Sequence, residues 1–193
     1  MAKERWQKAW EFFVGELTGE GPIYPKNHWG GYSKKVSRQR SQRSGRLFWD
    51  LISVLEGFGI QALRHKDLGK SRDVDKKEFT VGGTWNNNPK KPTVNLLYDS
   101  PSILVHEFTH AMDYLERGWS FRPSSELAAC AGGYLIVCHF VGLRSPSDDI
   151  SYARRQGADG LTLKSLEEYI PRLFGVMVEL IEAQRNKEVR NVV

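Results

Sequence analysis

Cysteine is almost absent from this chain, with two in 193 residues, Cys130 and Cys138. They lie eight apart in a stretch of helical patterning, which at ~1.5 Å per residue separates them by about 12 Å, beyond disulfide reach. A disulfide-stapled scaffold is therefore excluded. Two reduced thiols point to a reducing, cytoplasmic compartment, with export by a non-classical route as the alternative. Long apolar runs are missing too. Nothing approaches the roughly 18–20 apolar residues of a membrane span. The opening residues MAKERWQKAWEFFVGEL alternate charge with aromatic side chains and do not read as a signal peptide. A soluble globular protein is the expectation. Histidine is scarce, at five residues, which gives weight to any two placed close together.

What is present describes one globular domain over residues 1–193. The 22 aromatic residues (6 Trp, 7 Tyr, 9 Phe) spread along the length argue against disorder. A chain this long can bury about 70% of its unfolded surface without staples. The net charge of +5 is uneven: residues 1–92 hold 18 Lys/Arg against 10 Asp/Glu, and residues 93–193 hold 10 against 13. Acid is missing from residue 21 to residue 46, where Lys26, Lys34, Lys35, Arg38, Arg40, Arg43 and Arg46 concentrate the excess. Such a block can attract phosphates or an acidic protein surface; a solvated loop and helix start is the plainer alternative.

Apolar spacing predicts a first helix over 3–18 and a second from about 41 to 57, ended by Gly57 and Gly59. Short extended segments are expected around 59–65, 78–82 and 93–98. The second half reads as helical. Ser100-Pro101 offers a capping hydroxyl and a proline at the first helical position, and that helix should run to Arg117, with Gly118 closing it. A further helix is expected from Pro123 to about Val141. Another should span 163–190, with Pro171 kinking it or marking its true start. Strands first and helices later imply an α+β fold.

The informative stretch is His106-Glu107-Phe108-Thr109-His110. On a helix, imidazoles four apart project from one face and can share a single Zn²⁺, while Glu107 lies beside that face. A third protein ligand would leave a position for water, whose pKa the metal lowers toward roughly 7 so that Glu107 can take its proton. With five His and 14 Glu, the pattern is expected by chance only about 0.01 times in this chain. The third ligand has three candidate sources. Glu126 opens the next apolar helix, whose small residues Ala128, Ala129, Ala131, Gly132 and Gly133 permit close approach to the histidine helix. Asp113 shares the histidines' own face, and either binds metal or holds a histidine from behind. An unidentified residue is the remaining possibility.

These residues resemble the zincin metallopeptidases, specifically the gluzincin pattern of HExxH with a downstream Glu. The stretch His106–Tyr114 looks like the active-site helix of thermolysin-like and lethal-factor-like peptidases. Its continuation at Glu126-Leu-Ala-Ala is closer to small phage, plasmid and mobile-element zincins of the ImmA/IrrE and ArdC sort. The likeness runs from Asp99 to Tyr134. It implies a zincin-like fold: a small, mostly antiparallel sheet packed on the HExxH helix, with further helices C-terminal. It also implies one Zn²⁺ held by His106, His110 and Glu126, with Glu107 as general base and a protein or peptide as substrate. Cys130 departs from the pattern, because thermolysin-like enzymes have a supporting Asp at that position. An edge strand for the substrate would fall at Thr93–Tyr98, with an ordinary internal strand as the equal alternative. No oxyanion donor is singled out by the sequence: Tyr134, two turns past Glu126, is one candidate, and His139, His65, Arg117, Arg122 and the Tyr169/Arg172 pair are others. A rival reading makes the core a scaffold for nucleic-acid binding, with the basic segment and His28, Trp29 and Tyr32 supplying phosphate contacts and stacking faces. A non-catalytic relative acting by protein contact is a third, against which the intact Glu107 argues.

Overall fold

A computed structural model describes residues 2–25, 34–72, 76, 78–88, 90–118 and 123–190. Its order is α1 (Ala2–Thr18), α2 (Lys34–Gly57), β1 (Gln61–Arg64), β2 (Lys70–Arg72), β3 (Glu78–Thr80), β4 (Gly83–Asn86), β5 (Thr93–Leu96), α3 (Pro101–Arg117), α4 (Pro123–Phe140), α5 (Ser147–Arg155), α6 (Gly160–Lys164) and α7 (Tyr169–Arg190). The fold is α+β. No described helix is long and apolar enough to cross a membrane.

The centre is α4. Every residue from Ser125 to Cys138 is buried, and the helix packs against α1, α2, α3, α5, α6 and α7. A helix hydrophobic on all sides belongs inside a protein core. Around it, Phe13 of α1, Leu47, Leu51 and Leu55 of α2, Leu104 and Phe108 of α3, and Ile170 and Met177 of α7 are fully excluded from solvent. Arg185 of α7 bridges the buried Asp50 of α2 at 2.6 Å, so this inward acid is paired rather than left as a bare charge.

Three of the helices expected from sequence match closely. The predicted 3–18 is α1. Ser100 caps α3, with its hydroxyl accepting from the Ile103 N–H and Pro101 at the helix start; Gly118, at φ 76°, ends it by donating to the Tyr114 carbonyl. Pro123–Phe140 is α4. Two helices are bounded differently. α2 starts seven residues before the predicted 41, because its first two turns are polar and carry no apolar stripe. Arg40 anchors that extension by donating to the Gly142 and Leu143 carbonyls at 3.1 and 2.8 Å. The predicted 163–190 is split, and Pro171 falls in the first turn of α7, where a missing N–H leaves no helical bond unmade.

The main sheet is mixed rather than mostly antiparallel. Its order is β1-β5-β4, with β1 parallel and β4 antiparallel to β5; β2 and β3 form a separate antiparallel pair. Thr93–Leu96 is therefore the central strand, which decides for the internal-strand alternative and against a place at the edge. Its alternate partners are both strands, and Val94 and Leu96 are buried against the helices. The edge beside α3 belongs to β4.

Candidate metal centre

α3 turns His106 and His110 toward Glu126 of α4 and Glu107 toward β4, and small residues on α4 permit the approach. A Cβ on Gly133 would stand 2.9 Å from Val105 Cγ1 and 3.6 Å from the His106 Cα; one on Gly132 would stand 2.9 Å from Thr109 Cγ2. This contact brings Glu126, in the first turn of α4, over the two imidazoles. Oε2 of Glu126 lies 3.5 Å from His106 Nε2 and 3.6 Å from His110 Nε2.

Those distances are too long for strong hydrogen bonds, and Oε2 is buried without a hydrogen-bond partner. They suit something else. Donors about 2.0–2.2 Å from a tetrahedral ion stand roughly 3.3–3.6 Å from one another. The two imidazole nitrogens and the carboxylate oxygen lie within 4.8 Å of one another and could hold a metal ion, and an orphaned anionic oxygen is the atom such an ion would satisfy. Burial raises the Glu126 carboxyl, but contact with both histidines outweighs it and holds the group well below the usual range.

Glu107 is 6% exposed and is pushed up to about 7 by burial; His106 opposes this, Glu126 adds to it, and the Trp85 N–H opposes it by donating to the carboxylate. Two carboxylates of one site are thus driven apart, one toward proton exchange near neutrality and one toward permanent charge. The base also depends on the edge strand. A Cβ on Gly83 would meet Ile103 Cγ2 at 2.7 Å and Glu107 Oε1 at 3.0 Å, so only glycine lets β4 lie this close.

His106 is braced from two other sides. Its Nδ1 lies 3.9 Å from Cys130 Sγ, on α4, where a metal-binding histidine usually meets a carboxylate or carbonyl. The Tyr152 ring of α5 meets the His106 ring edge-to-face at 5.5 Å. The centre opens into a cavity of about 740 Å³ walled by Gly82–Trp85, Ile103, Tyr114 and, from α5 and the turn before it, Arg144, Asp149, Tyr152 and Arg155.

The structure therefore brings His106, Glu107, His110 and Glu126 together and separates several other candidates from them. Asp113 lines the same cavity but is not part of the donor cluster. Arg117 donates to both its oxygens at 2.6 and 2.9 Å, and the Tyr169 hydroxyl donates to Oδ1. The carboxylate thus ties α3 to α7. Tyr134 must be corrected. It is wholly buried in the core, its ring packs on Phe13, and its hydroxyl donates to the Arg144 carbonyl at 2.9 Å, so it offers nothing to the cavity. Burial pushes its phenol far up. His65 bonds Asn95, His139 packs on Phe140 and Phe174, and Arg172 pairs with Glu116; none of these lines the cavity. Arg122, Lys26, His28, Trp29 and Tyr32 lie outside the described residues. Lys34 and Lys35 open α2, Arg40 is spent on the Gly142–Leu143 backbone, and Arg38, Arg43 and Arg46 are exposed.

Sequence reasoning missed Tyr152, Arg144 and the Gly83–Trp85 contact. The short segment Ser147–Arg155 carries charges and one tyrosine, with no spacing that marks it as a cavity wall. No family model, curated protein or solved structure matches this chain.

Proposed function

We propose that this chain is a zinc-dependent endopeptidase of the gluzincin type, with His106, His110 and Glu126 as the metal ligands. The observation that carries this reading is the convergence of three donors, Glu126 Oε2 standing 3.5 and 3.6 Å from the two imidazole nitrogens, beside the buried Glu107. Two imidazoles and a single carboxylate suit zinc better than the harder, oxygen-preferring calcium or magnesium. A zinc ion held there would supply Lewis acidity toward a scissile carbonyl and an attacking water.

The chain's own residues do the rest. Glu107 accepts the water's proton and delivers it to the departing amine. β4, which pairs with β5 alone among the described residues, receives an extended substrate backbone by strand addition, one strand over from the segment expected from sequence. Tyr152 takes the oxyanion role for which Tyr134 was one candidate: it lines the cavity beside His106, and burial raises its phenol, which keeps the hydroxyl protonated as a donor. The two free, buried cysteines support a reducing compartment.

Metal analysis of the purified protein, combined with cleavage of a peptide library, tests the reading. One equivalent of zinc, with cleavage lost in Glu107→Gln and metal retained, is the expected result. Unchanged cleavage by that variant, or protein that takes up no zinc, overturns it.

A further inference from the structure

We propose that the outer face of α2 binds single-stranded nucleic acid. At 3.6 residues per turn, Arg38, Gln42, Arg46 and Trp49 fall within about 80° of the helix circumference and along about 17 Å of its axis. All four are exposed, Trp49 to 68%. Arg43 flanks this row. Among the described residues no acid pairs with Arg38, Arg43 or Arg46, and the first acid of α2, Asp50, is buried and held by Arg185. Arg43 and Arg46, three apart, repel each other on the free helix. The first turn of α2 contains no acid to offset its cations. An anionic partner removes that repulsion.

The indole narrows the partner. Phe48 meets the Trp49 ring edge-on at 5.5 Å, which supports the indole from one side while the rest faces solvent. A row of guanidinium groups ending in an open aromatic face fits a strand whose phosphates run along the arginines and whose unpaired base stacks on the ring. A duplex keeps its base faces covered. A bilayer surface calls for an apolar helix face, but Leu47, Leu51 and Leu55 of α2 are committed to the core. No residue of α2 lines the cavity of the metal centre, so this surface is independent of the proposed peptidase.

Fluorescence anisotropy with a labelled oligothymidylate tests the proposal on the full chain. Expected are binding that weakens steeply with salt, a salt slope reduced by about 1 for each arginine removed, and loss of about tenfold in affinity in Trp49→Ala with recovery in Trp49→Phe. Arg38→Glu with Arg46→Glu should abolish binding while leaving the melting temperature unchanged, since both side chains are exposed. No binding at low salt, equal affinity for duplex DNA, or preference for phosphatidylserine vesicles over the oligonucleotide would overturn it. Intact binding in the double variant would place the interaction elsewhere and overturn it as well. None of these readouts depends on Glu107 or on zinc.

Discussion

Where α3 meets α4, charged groups are buried and converge; on the outer face of α2 they are exposed and lie in a row. At the first surface, Glu126 and Glu107 are buried beside a contact between helices, and each is strongly displaced from its ordinary protonation behaviour. At the second, Arg38, Arg43 and Arg46 stand in water. A buried charge is costly unless something meets it, so each atom at the helix contact is answerable to its neighbours. An exposed arginine costs little, and only the row as a whole carries meaning. Substitutions on the two surfaces should therefore differ in kind as well as size.

The sharpest separation is expected from Glu107→Gln. The amide preserves shape but cannot take a proton, so turnover should fall by about 10²–10⁴-fold with zinc content unchanged. If turnover survives, the buried surface has lost its claim to chemistry.

Next is the response to metal. Zinc at 100 times its dissociation constant should stabilise the native protein by about 2.7 kcal/mol, visible as a rise in melting temperature, because it binds only the folded arrangement of three donors. Glu126→Gln should abolish most of that rise. An equal response from both proteins would remove Glu126 from the ligand set.

Gly133→Val probes the packing that brings Glu126 into place. Its first added carbon already meets Val105 at 2.9 Å, and overpacking of this sort costs about 1–3 kcal/mol, measurable by chemical denaturation. Stability within error of the native protein would mean that α3 and α4 do not approach so closely.

Gly83→Ala is a subtler intrusion from the edge strand. It presses on Ile103 and on the Glu107 carboxylate, so turnover should drop about tenfold, the magnitude of a misplaced catalytic group, with zinc affinity retained. Loss of zinc in this variant would show that β4 supports the ligands rather than the base.

The smallest effect belongs to α2. Arg38→Glu with Arg46→Glu should change stability by less than about 0.5 kcal/mol and leave peptide cleavage untouched. A clear loss of cleavage would couple two surfaces that the fold keeps apart.

Legibility differed in the same way between these regions. His106, Glu107 and His110 lie on one helix, where a spacing of four fixes a shared face regardless of what packs around it. Ser100, Pro101 and Gly118 made the limits of that helix readable too, since capping is a local matter. Tyr134 failed for the opposite reason. α4 is buried on every side, so its composition carries no mark of which face meets the cavity and which meets Phe13. Strand order failed similarly: four-residue strands offer too little patterning to say that Thr93–Leu96 is flanked on both sides and that β4 is the edge.

The sequence by itself determined the helix of paired imidazoles, its caps, the adjacent base and the small-residue stretch that lets another helix come near. Each follows from rules acting over a few neighbouring residues. Only the tertiary structure decided that Glu126 reaches within 3.6 Å of both rings, that Gly83 and Trp85 attend Glu107, that Tyr152 stands beside His106, and that Arg40 leaves the basic row to bind backbone. Those arrangements join residues distant along the chain. They depend on how helices and strands dock, which is set by packing over the whole core and is written in no single stretch of it.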